Sequence, residues 1–247
     1  MNEKMKNNPI IGFNYLLQGL KLLLEPGLKR YLVVPLLINF TIFSLVGWIG
    51  YSQFEALLAW LLPEQSWYSF LRWLLWPLFA LTILLVTFYT FTVVANLIAA
   101  PFNSLLAQRV EQILTGSPPP HGDERLLAQI GPALASELRK LGYFIIRAIP
   151  LLILFIIPGV NLFAPLLWLL FSAWFLALEY IDYPLGNHGL GFAEQLRRMK
   201  PLRLTAIGFG GGVTLLMMIP LLNFAAMPAA VAGATLFSCR QRQLLEG

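Results

Sequence analysis

Two adjacent cations follow a helix-breaking turn near the start of the chain. The segment GLKLLLEPGLKRYLVVP contains the turn Pro26-Gly27 and then Lys29 and Arg30. Amide groups at the start of a helix bind anions together with the positive end of the helix dipole. We therefore expect the Gly27 and Leu28 amides to bind a tetrahedral oxyanion such as sulfate or phosphate. Lys29 would add a point charge, and Arg30 would bond two of the oxygens. The alternative is that both cations only anchor the following apolar helix at a membrane surface.

Polar residues in or beside apolar stretches are candidates for a pathway through the protein. They are Asn39, Asn103, Arg109, Glu111, Asn161 and Asn223. Asparagine amides inside a membrane more often join helices than contact a substrate. Arg109 and Glu111 form either an opening of the pathway or an ion pair at the membrane surface. Glu179 and Asp182 lie one helical turn apart, and we expect them to form salt bridges with the cations of residues 194–203.

No motif for metal, nucleotide or covalent chemistry accompanies these residues. His121 and His188 lie in turn-rich loops without a second ligand at metal spacing, so we predict no metal site and no cofactor. A Walker-type phosphate loop does not occur, which argues against an ATP-driven pump. Nucleophile elbows and paired His-acid signatures do not occur either. A lipid-modifying enzyme is therefore the weakest of the alternative functions.

The distribution of charge identifies a membrane protein. Four stretches, 31–54, 73–108, 148–178 and 204–239, contain no charged residue, and 58% of the chain is hydrophobic. A hydrocarbon layer roughly 30 Å thick needs about 20 apolar residues for each helical crossing, and a charge at its centre costs about 2.5 to 3.5 kcal/mol. The four runs therefore mark where lipid contacts the chain.

The basic residues indicate the orientation of the chain. All of them except Arg72 lie on one side if the first two runs each cross once and the last two return to the side where they started. Cytoplasmic flanks collect Lys and Arg, so both termini are predicted to lie inside. The formal net charge of +5 then follows from membrane insertion and contact with anionic lipids, rather than from binding of nucleic acid.

The charge-free runs and the helix breakers predict one all-α membrane domain over residues 1–247. Residues 10–24 have apolar positions at helical spacing and predict an amphipathic helix at the membrane interface. Trp and Tyr residues between 54 and 70 are typical of an outer headgroup layer. The predicted segments are the interfacial helix with the anion-binding turn (1–30), two membrane-spanning helices (31–52 and 73–108) and two helical hairpins (132–180 and 194–239).

The two hairpins share a turn pattern. The run 148–178 gives roughly 46 Å of helix at about 1.5 Å per residue, which is short of two crossings, so the hairpin legs are predicted to penetrate only partly. The pattern Ile-Pro-x-x-Asn occurs at 157–161 and at 219–223, and we interpret it as a duplicated hairpin. Asn161 and Asn223 are predicted to cap the second legs, whose positive ends would face a pathway. Chance similarity of the two turns is the alternative.

Three segments carry a resemblance to a known family. They are Gly19-Leu20 with Pro26-Gly27-Leu28-Lys29-Arg30-Tyr31 and Pro35, then Ala100-Pro101-Phe102-Asn103 with Arg109-Val110-Glu111, and Glu179-Tyr180-Ile181-Asp182-Tyr183-Pro184. They resemble signatures of the CysZ-type sulfate permeases of bacterial inner membranes, and the likeness covers nearly the whole chain. The resemblance implies two long membrane helices, two partly penetrating hairpins, and a sulfate site at Lys29 and Arg30, where the family often has two arginines.

The function implied by this resemblance is multi-pass transport of sulfate across the bacterial inner membrane for cysteine biosynthesis. A proton gradient is one driving force that it suggests, and sulfite and thiosulfate are alternative anions. Membrane lipids and further copies of the chain are the expected partners, because non-helical hairpin tips in lipid must be covered by protein or water. The main alternative is a scaffold that assembles another transporter. Anion flux through the purified protein in liposomes distinguishes the two.

Overall fold

The computed structural model describes residues 7–61, 70–120 and 126–241. The regular structure of these ranges consists only of helices, which confirms the predicted all-α class. The helices are α1 (Pro9–Leu22), α2 (Arg30–Leu61), α3 (Leu71–Thr115), α4 (Leu126–Leu154), α5 (Ala164–Gly186), α6 (Phe192–Met199), a short 3-10 helix (Lys200–Leu202), α7 (Arg203–Met217) and α8 (Pro220–Arg240).

The chain folds as two compact units. The first unit combines Met1–Leu32 with Asn103–Gly247, and the second unit is Val33–Phe102. Nearly all of α2 and the first part of α3 thus belong to the second unit. Both hairpins, α1 and the end of α3 belong to the first.

The second unit is a pair of long apolar helices joined by aromatic side chains. Phe54 of α2 stacks on Phe79 of α3 with ring centroids 3.7 Å apart, and its edge meets Trp76 at 4.9 Å. Aromatic pairs of this kind contribute about 0.5 to 1.5 kcal/mol beyond their burial. Leucines such as Leu74 and Leu84 are exposed on the outside. A helix that is apolar on all sides is typical of a membrane span.

Both helices of the second unit are longer than the predicted spans. α2 has 32 residues, about 48 Å, and passes through 54–61, the start of the predicted headgroup segment. Residues 53–61 contain no proline or glycine and are rich in Ala and Leu, so nothing ends the helix there. α3 has 45 residues and continues through Pro101 as predicted. Residues 62–69, the rest of the headgroup segment, lie outside the described residues.

In the first unit, α1 packs closely against α7 and α8 through glycines. A methyl group at Gly12 would collide with the carbonyl of Thr205 on α7. One at Gly19 would collide with the backbone of Ala229 and Gly233 on α8. Small residues allow such close approach between membrane helices. The helix predicted to lie at the interface is therefore part of a three-helix bundle.

The two residues before α1 cap both α1 and α7. The side-chain oxygen of Asn8 accepts the Ile10 amide at 2.8 Å. The side-chain oxygen of Asn7 accepts the amides of Leu204 and Thr205 at 2.7 and 3.2 Å. The Asn8 amide in turn donates to the Thr205 hydroxyl at 2.9 Å. Helix caps of this kind contribute about 1 kcal/mol each, and here they also fix α1 against the start of α7.

The glycines of the GFGGG segment in α7 differ in their surroundings. Gly208 faces the backbone of Pro9, and Gly210 faces the carbonyl of Ala173 on α5, and neither position has room for a methyl group. Gly211 faces open space. Close backbone packing therefore involves Gly208 and Gly210 but not Gly211.

The two hairpins have different tips. Between α4 and α5, residues 155–163 form a wide turn in which Gly159 has φ +83°. Between α7 and α8 the turn is only 218–219. Pro220 is the first residue of α8, whereas its counterpart Pro158 lies in the wide turn. The two copies of Ile-Pro-x-x-Asn thus adopt different structures, because the second copy has leucine where the left-handed turn requires glycine.

Three helices of the described residues are long and apolar enough to cross a membrane: Arg30–Trp60, Ala164–Gly186 and Pro220–Arg240. At 23 and 21 residues, α5 and α8 are about 35 and 32 Å long. α5 reaches this length because it continues past the charge-free run to Gly186. α7, with 15 residues, is too short to cross alone. The depth of the hairpins in the membrane stays a prediction.

Replacing Gly210 by alanine should destabilise the first unit, because the new methyl group overlaps the Ala173 carbonyl. Overpacking of this kind costs about 1 to 3 kcal/mol. Gly211→Ala, on the same helix but facing open space, should be neutral or stabilise by up to about 1 kcal/mol through helix propensity. Thermal unfolding of both variants in one detergent measures the difference. Equal melting temperatures would contradict the close contact between α5 and α7.

Candidate functional site

The predicted turn connects α1 to α2. Gly27 has φ +91°, a left-handed conformation that glycine adopts without strain. Leu23 and Leu28, on either side of it, are buried in the hydrophobic core of the first unit. Lys29 and Arg30 are exposed. The buried leucines hold the turn in place, and the two cations project from it.

The backbone amides of this turn are only partly available to an anion. The Leu28 amide donates to the Glu25 carbonyl at 3.2 Å. This bond closes a reverse turn with proline second and a positive-φ glycine third, which are features of a type II turn. The Leu28 amide thus already has a partner within the turn, and its binding of an anion stays a prediction. The amides of Gly27 and Lys29 donate to no carbonyl of a neighbouring turn or loop in the described part of the chain.

Arg30 is positioned by Tyr31. Its Nη2 donates to the Tyr31 hydroxyl at 3.0 Å, and its Cζ lies 4.9 Å from the centroid of the tyrosine ring. A cation over an aromatic ring at an exposed site contributes about 0.5 to 1 kcal/mol. The guanidinium carries five N–H donors, so most of them stay available after the bond to Tyr31. Arg30 is thus held in place while still able to bind an anion.

Three of the predicted pathway residues, Asn39, Asn161 and Asn223, lie outside this turn. Asn39 is buried in α2, and its Oδ1 has no hydrogen-bond partner among the described residues. Asn161 and Asn223 are exposed near the hairpin tips. Neither α5 nor α8 has a side-chain hydrogen bond at its N-cap, so the prediction that these two asparagines cap the second legs is wrong. Pro165 and Pro220 occupy the first turns instead, where proline is preorganised for a helix.

Two of the three segments with family resemblance contact each other in the first unit. Asn103, which follows Pro101 in α3, donates from Nδ2 to the Tyr183 hydroxyl of α5 at 3.4 Å. The neighbouring Ser104 donates to Oδ1 of Asn187 at 2.8 Å. Asn103 and Asn187 are both buried. Asn103 therefore joins helices, which is the alternative to a substrate contact.

Arg109 and Glu111, on the last turns of α3, have separate partners. Arg109 Nη1 donates to Gln112 Oε1 at 2.6 Å on the exposed side. Glu111 is buried, and its Oε1 lies 2.7 Å from Nε2 of His188. Its Oε2 has no partner within the described ranges. The predicted Arg109–Glu111 ion pair is not formed, and His188, for which the sequence indicated no role, connects α3 to the loop after α5.

A buried lysine gathers the acids at the end of the first hairpin. Nζ of Lys140 in α4 lies 2.7 Å from Asp182, 2.9 Å from Glu137 and 3.4 Å from Glu179. Gln195 of α6 donates to the other oxygen of Asp182. Burial disfavours a charged lysine, but the Asp182 and Glu179 carboxylates outweigh it and hold the Lys140 pKa above its usual range. Lys140 is therefore charged at any physiological pH.

Two of the four expected cation donors for these acids, Arg197 and Arg198, pair with Glu194 instead. Arg197 and Arg198 bond Glu194 at 2.7 and 2.6 Å. Hydrogen bonds from Arg198 and Arg197 also hold the Glu194 pKa below its usual range. The prediction that residues 194–203 neutralise Glu179 and Asp182 is wrong. The i,i+3 spacing of Glu137 and Lys140 could have indicated that Lys140 takes part in an ion pair, since residues at this spacing are neighbours on a helix.

Similarity to known proteins covers almost the whole chain. The family described as "Sulfate transporter CysZ/Etoposide-induced protein 2.4" matches residues 15–228. The chain belongs to this family. The matched range contains the Pro26-Gly27 turn, the network around Lys140 and both hairpin tips.

Curated members of the family are similar to this chain over nearly their full length. "Sulfate transporter CysZ" of Pseudomonas aeruginosa (strain LESB58) is 46% identical over 233 residues, which are 93% of this chain and 95% of the relative. The protein of the same name from Pseudomonas fluorescens (strain Pf0-1) is 47% identical over 234 residues, 94% of each chain. Membership of this transporter family, together with the three apolar helices, makes the chain a membrane protein.

Replacing Lys140 by methionine should destabilise the first unit, because Asp182 and Glu179 lose the cation that they share. Breaking a buried ion pair costs about 3 to 5 kcal/mol. Since the Glu179 side chain is 41% exposed, we expect about 2 to 3 kcal/mol here. Thermal unfolding in detergent measures the loss, with Arg139→Met, an exposed neighbour on the same helix, as the control. Equal stability of the two variants would contradict a structural role for the cluster.

Proposed function

We propose that this chain takes up sulfate across the bacterial inner membrane for cysteine biosynthesis. Its curated relatives are named sulfate transporters. The observation that carries the proposal is the turn between α1 and α2, which presents the exposed Lys29 and Arg30 at the start of an apolar helix of 32 residues. Two fixed cations and the positive end of a long helix dipole favour an anion at this place.

Capture of sulfate uses donors from both backbone and side chains. The amides of Gly27 and Lys29 lie on either side of the bonded Leu28 amide. The space beside Gly27 is open, since a Cβ built there meets no atom within 4 Å, and this leaves room for an oxyanion. Arg30, held by Tyr31, supplies two parallel N–H donors, and Lys29 supplies a compact charge. Glu25 is exposed in the same turn, and its charge weakens binding and favours release.

Passage beyond this turn requires water and dipoles, because the two runs 31–54 and 73–108 contain no charge to accompany a divalent anion. Asn39 is the pathway candidate with most support, since it places a buried amide inside α2. Asn161 and Asn223 would contribute amides at the hairpin tips. Asn103, Arg109 and Glu111 would hold the inner end of α3 in place. Without a phosphate-binding loop, transport is passive or follows an ion gradient such as that of protons.

The proposed setting is a multi-pass, oligomeric protein with its basic residues on the cytoplasmic side. α2, α5 and α8 are each long enough to cross. Exposed apolar residues at the first tip, among them Ile156 and Leu162, would be covered by lipid or by another copy of the chain. The exposed cations of the turn would then face the cytoplasm and bind sulfate at the inner end of its path, with sulfite and thiosulfate competing for the same donors.

Removing both cations of the turn should abolish sulfate binding. Lys29→Ala with Arg30→Ala removes two charge-assisted interactions, each typically about 1.5 to 3 kcal/mol, so affinity should fall at least roughly a hundredfold. Radiolabelled sulfate binding in detergent and uptake into proteoliposomes measure the effect. The control is Lys21→Ala with Arg139→Ala, which removes two exposed cations elsewhere. Unchanged binding in the turn variant would remove this site, and wild-type protein without flux in liposomes would favour the scaffold alternative.

Exchanging the two cation types separates charge from geometry. Arg30→Lys keeps the charge but loses the two parallel donors and the contact with Tyr31, so sulfate affinity should fall several-fold, about 1 kcal/mol. Lys29→Arg adds a second fork and should raise affinity by a similar factor. Equilibrium binding of labelled sulfate compares the two variants at one ionic strength. Equal affinities would show that the cations act only through their charge.

A further inference from the structure

Three cations line a cavity of about 330 Å³ on the first unit, away from the turn between α1 and α2. They are Arg147 of α4, Lys200 of the 3-10 helix and Arg203 at the start of α7. All three are exposed. The rest of the lining is apolar or aromatic and comes mainly from α4, α5 and α7. It includes Tyr143, Phe171, Trp174 and Ile207.

In each hairpin, the cavity is lined by the last charged residue before the charge-free run. Arg147 is the last charged residue before the run 148–178, and Arg203 is the last before the run 204–239. Phe171 and Ile207 belong to those runs, so the apolar lining comes from segments that contact hydrocarbon. A ligand in this cavity would therefore have its polar part at the cations and its apolar part along the membrane-facing helices.

The charges of the cavity are available to a ligand. Among the residues that the structure describes, no aspartate or glutamate lines the cavity. The nearby acid Glu194 is engaged by Arg197 and Arg198. Arg147 stacks on the ring of Tyr143, with Cζ 3.7 Å from the centroid, and within the described ranges its guanidinium donates only to the Tyr143 carbonyl, at 3.4 Å.

Contacts between side chains hold the wall of the cavity in place. The Trp174 indole donates to the Tyr143 hydroxyl at 2.7 Å, which locks the two aromatic rings together across α4 and α5. Tyr143 also meets the edge of the buried Phe192 at a centroid distance of 5.5 Å. Arg147 therefore rests on a fixed surface, and its guanidinium needs little ordering when an anion binds.

We propose that this cavity binds an anionic phospholipid. The phosphate lies among Arg147, Lys200 and Arg203, and one acyl chain follows Phe171 and Ile207 toward the hydrocarbon. Trp174 and Tyr143 lie at the level of the glycerol backbone, where such amphipathic rings are favoured. The lipid then bridges α4, α5 and α7, and so joins the two hairpins at their charged ends.

Titration of the purified protein with dioleoyl phosphatidylglycerol, followed by native mass spectrometry, tests this site. Each cation near an anionic lipid contributes roughly a fivefold gain in affinity, so the variant Arg147→Gln, Lys200→Gln, Arg203→Gln should lose on the order of a hundredfold. Dioleoyl phosphatidylcholine should bind both proteins equally weakly. The control is Lys21→Gln, Arg139→Gln, Arg197→Gln, which removes the same charge from exposed positions outside the cavity and should retain the lipid.

A charge-preserving variant keeps the test valid if the glutamine variant fails to fold. Arg147→Lys, Lys200→Arg, Arg203→Lys should retain phosphatidylglycerol, whereas its loss there would overturn the proposal. Equal lipid retention in the glutamine variant and its control would also overturn it. So would displacement of the lipid by sodium sulfate but not by sodium chloride at the same ionic strength, because the cavity would then be a site for a free oxyanion. Sulfate uptake through the turn between α1 and α2 is a separate measurement.

Discussion

Burial of the Lys140 ammonium among carboxylates is the constraint on which the charged end of the first hairpin depends. An unpaired charge at that depth would cost several kcal/mol, so α4 must keep Lys140 beside Asp182 of α5. Gln195 extends the same contact to α6. The next residue, Tyr183, and Asn187, which directly follows α5, hold the end of α3. The end of α5 thus connects four elements through polar contacts.

The turn between α1 and α2 obtains its position from apolar packing instead. Leu23 and Leu28 are buried on either side of it, and the glycines of α1 bring the helix against α7 and α8. Because Leu28 points inward, the next two residues point outward, so Lys29 and Arg30 are exposed, and Arg30 is bonded to the neighbouring Tyr31. The proposed site is therefore attached to a closely packed bundle, while both of its charged groups are exposed.

Features that depend on residues close together in the chain could be predicted from the sequence. The Pro26-Gly27 turn and the passage of α3 through Pro101 follow from the residues at those positions. The start of α8 was predicted at Asn223, whereas the helix begins at Pro220. The contacts Lys140–Asp182 and Glu111–His188 join residues 42 and 77 positions apart. No local sequence pattern at one residue of either pair indicates which residue it contacts. The predicted α2 was too short because it was ended where the charge-free run ends. The end of such a run indicates where contact with lipid stops, but the helix itself continues to Leu61.

The cap that Asn7 gives to α7 has a consequence for synthesis of the protein. The partners of Asn7 and Asn8 lie 197 residues later in the chain, so nothing for α1 to pack against exists until the last hairpin has been made. Contacts of such sequence separation form late, because a long loop must close first. α1 therefore leaves the ribosome before α7 and α8 have been made and can pack against them only afterwards. Lys29 and Arg30, which follow α1, reach their final positions only after the second hairpin has formed.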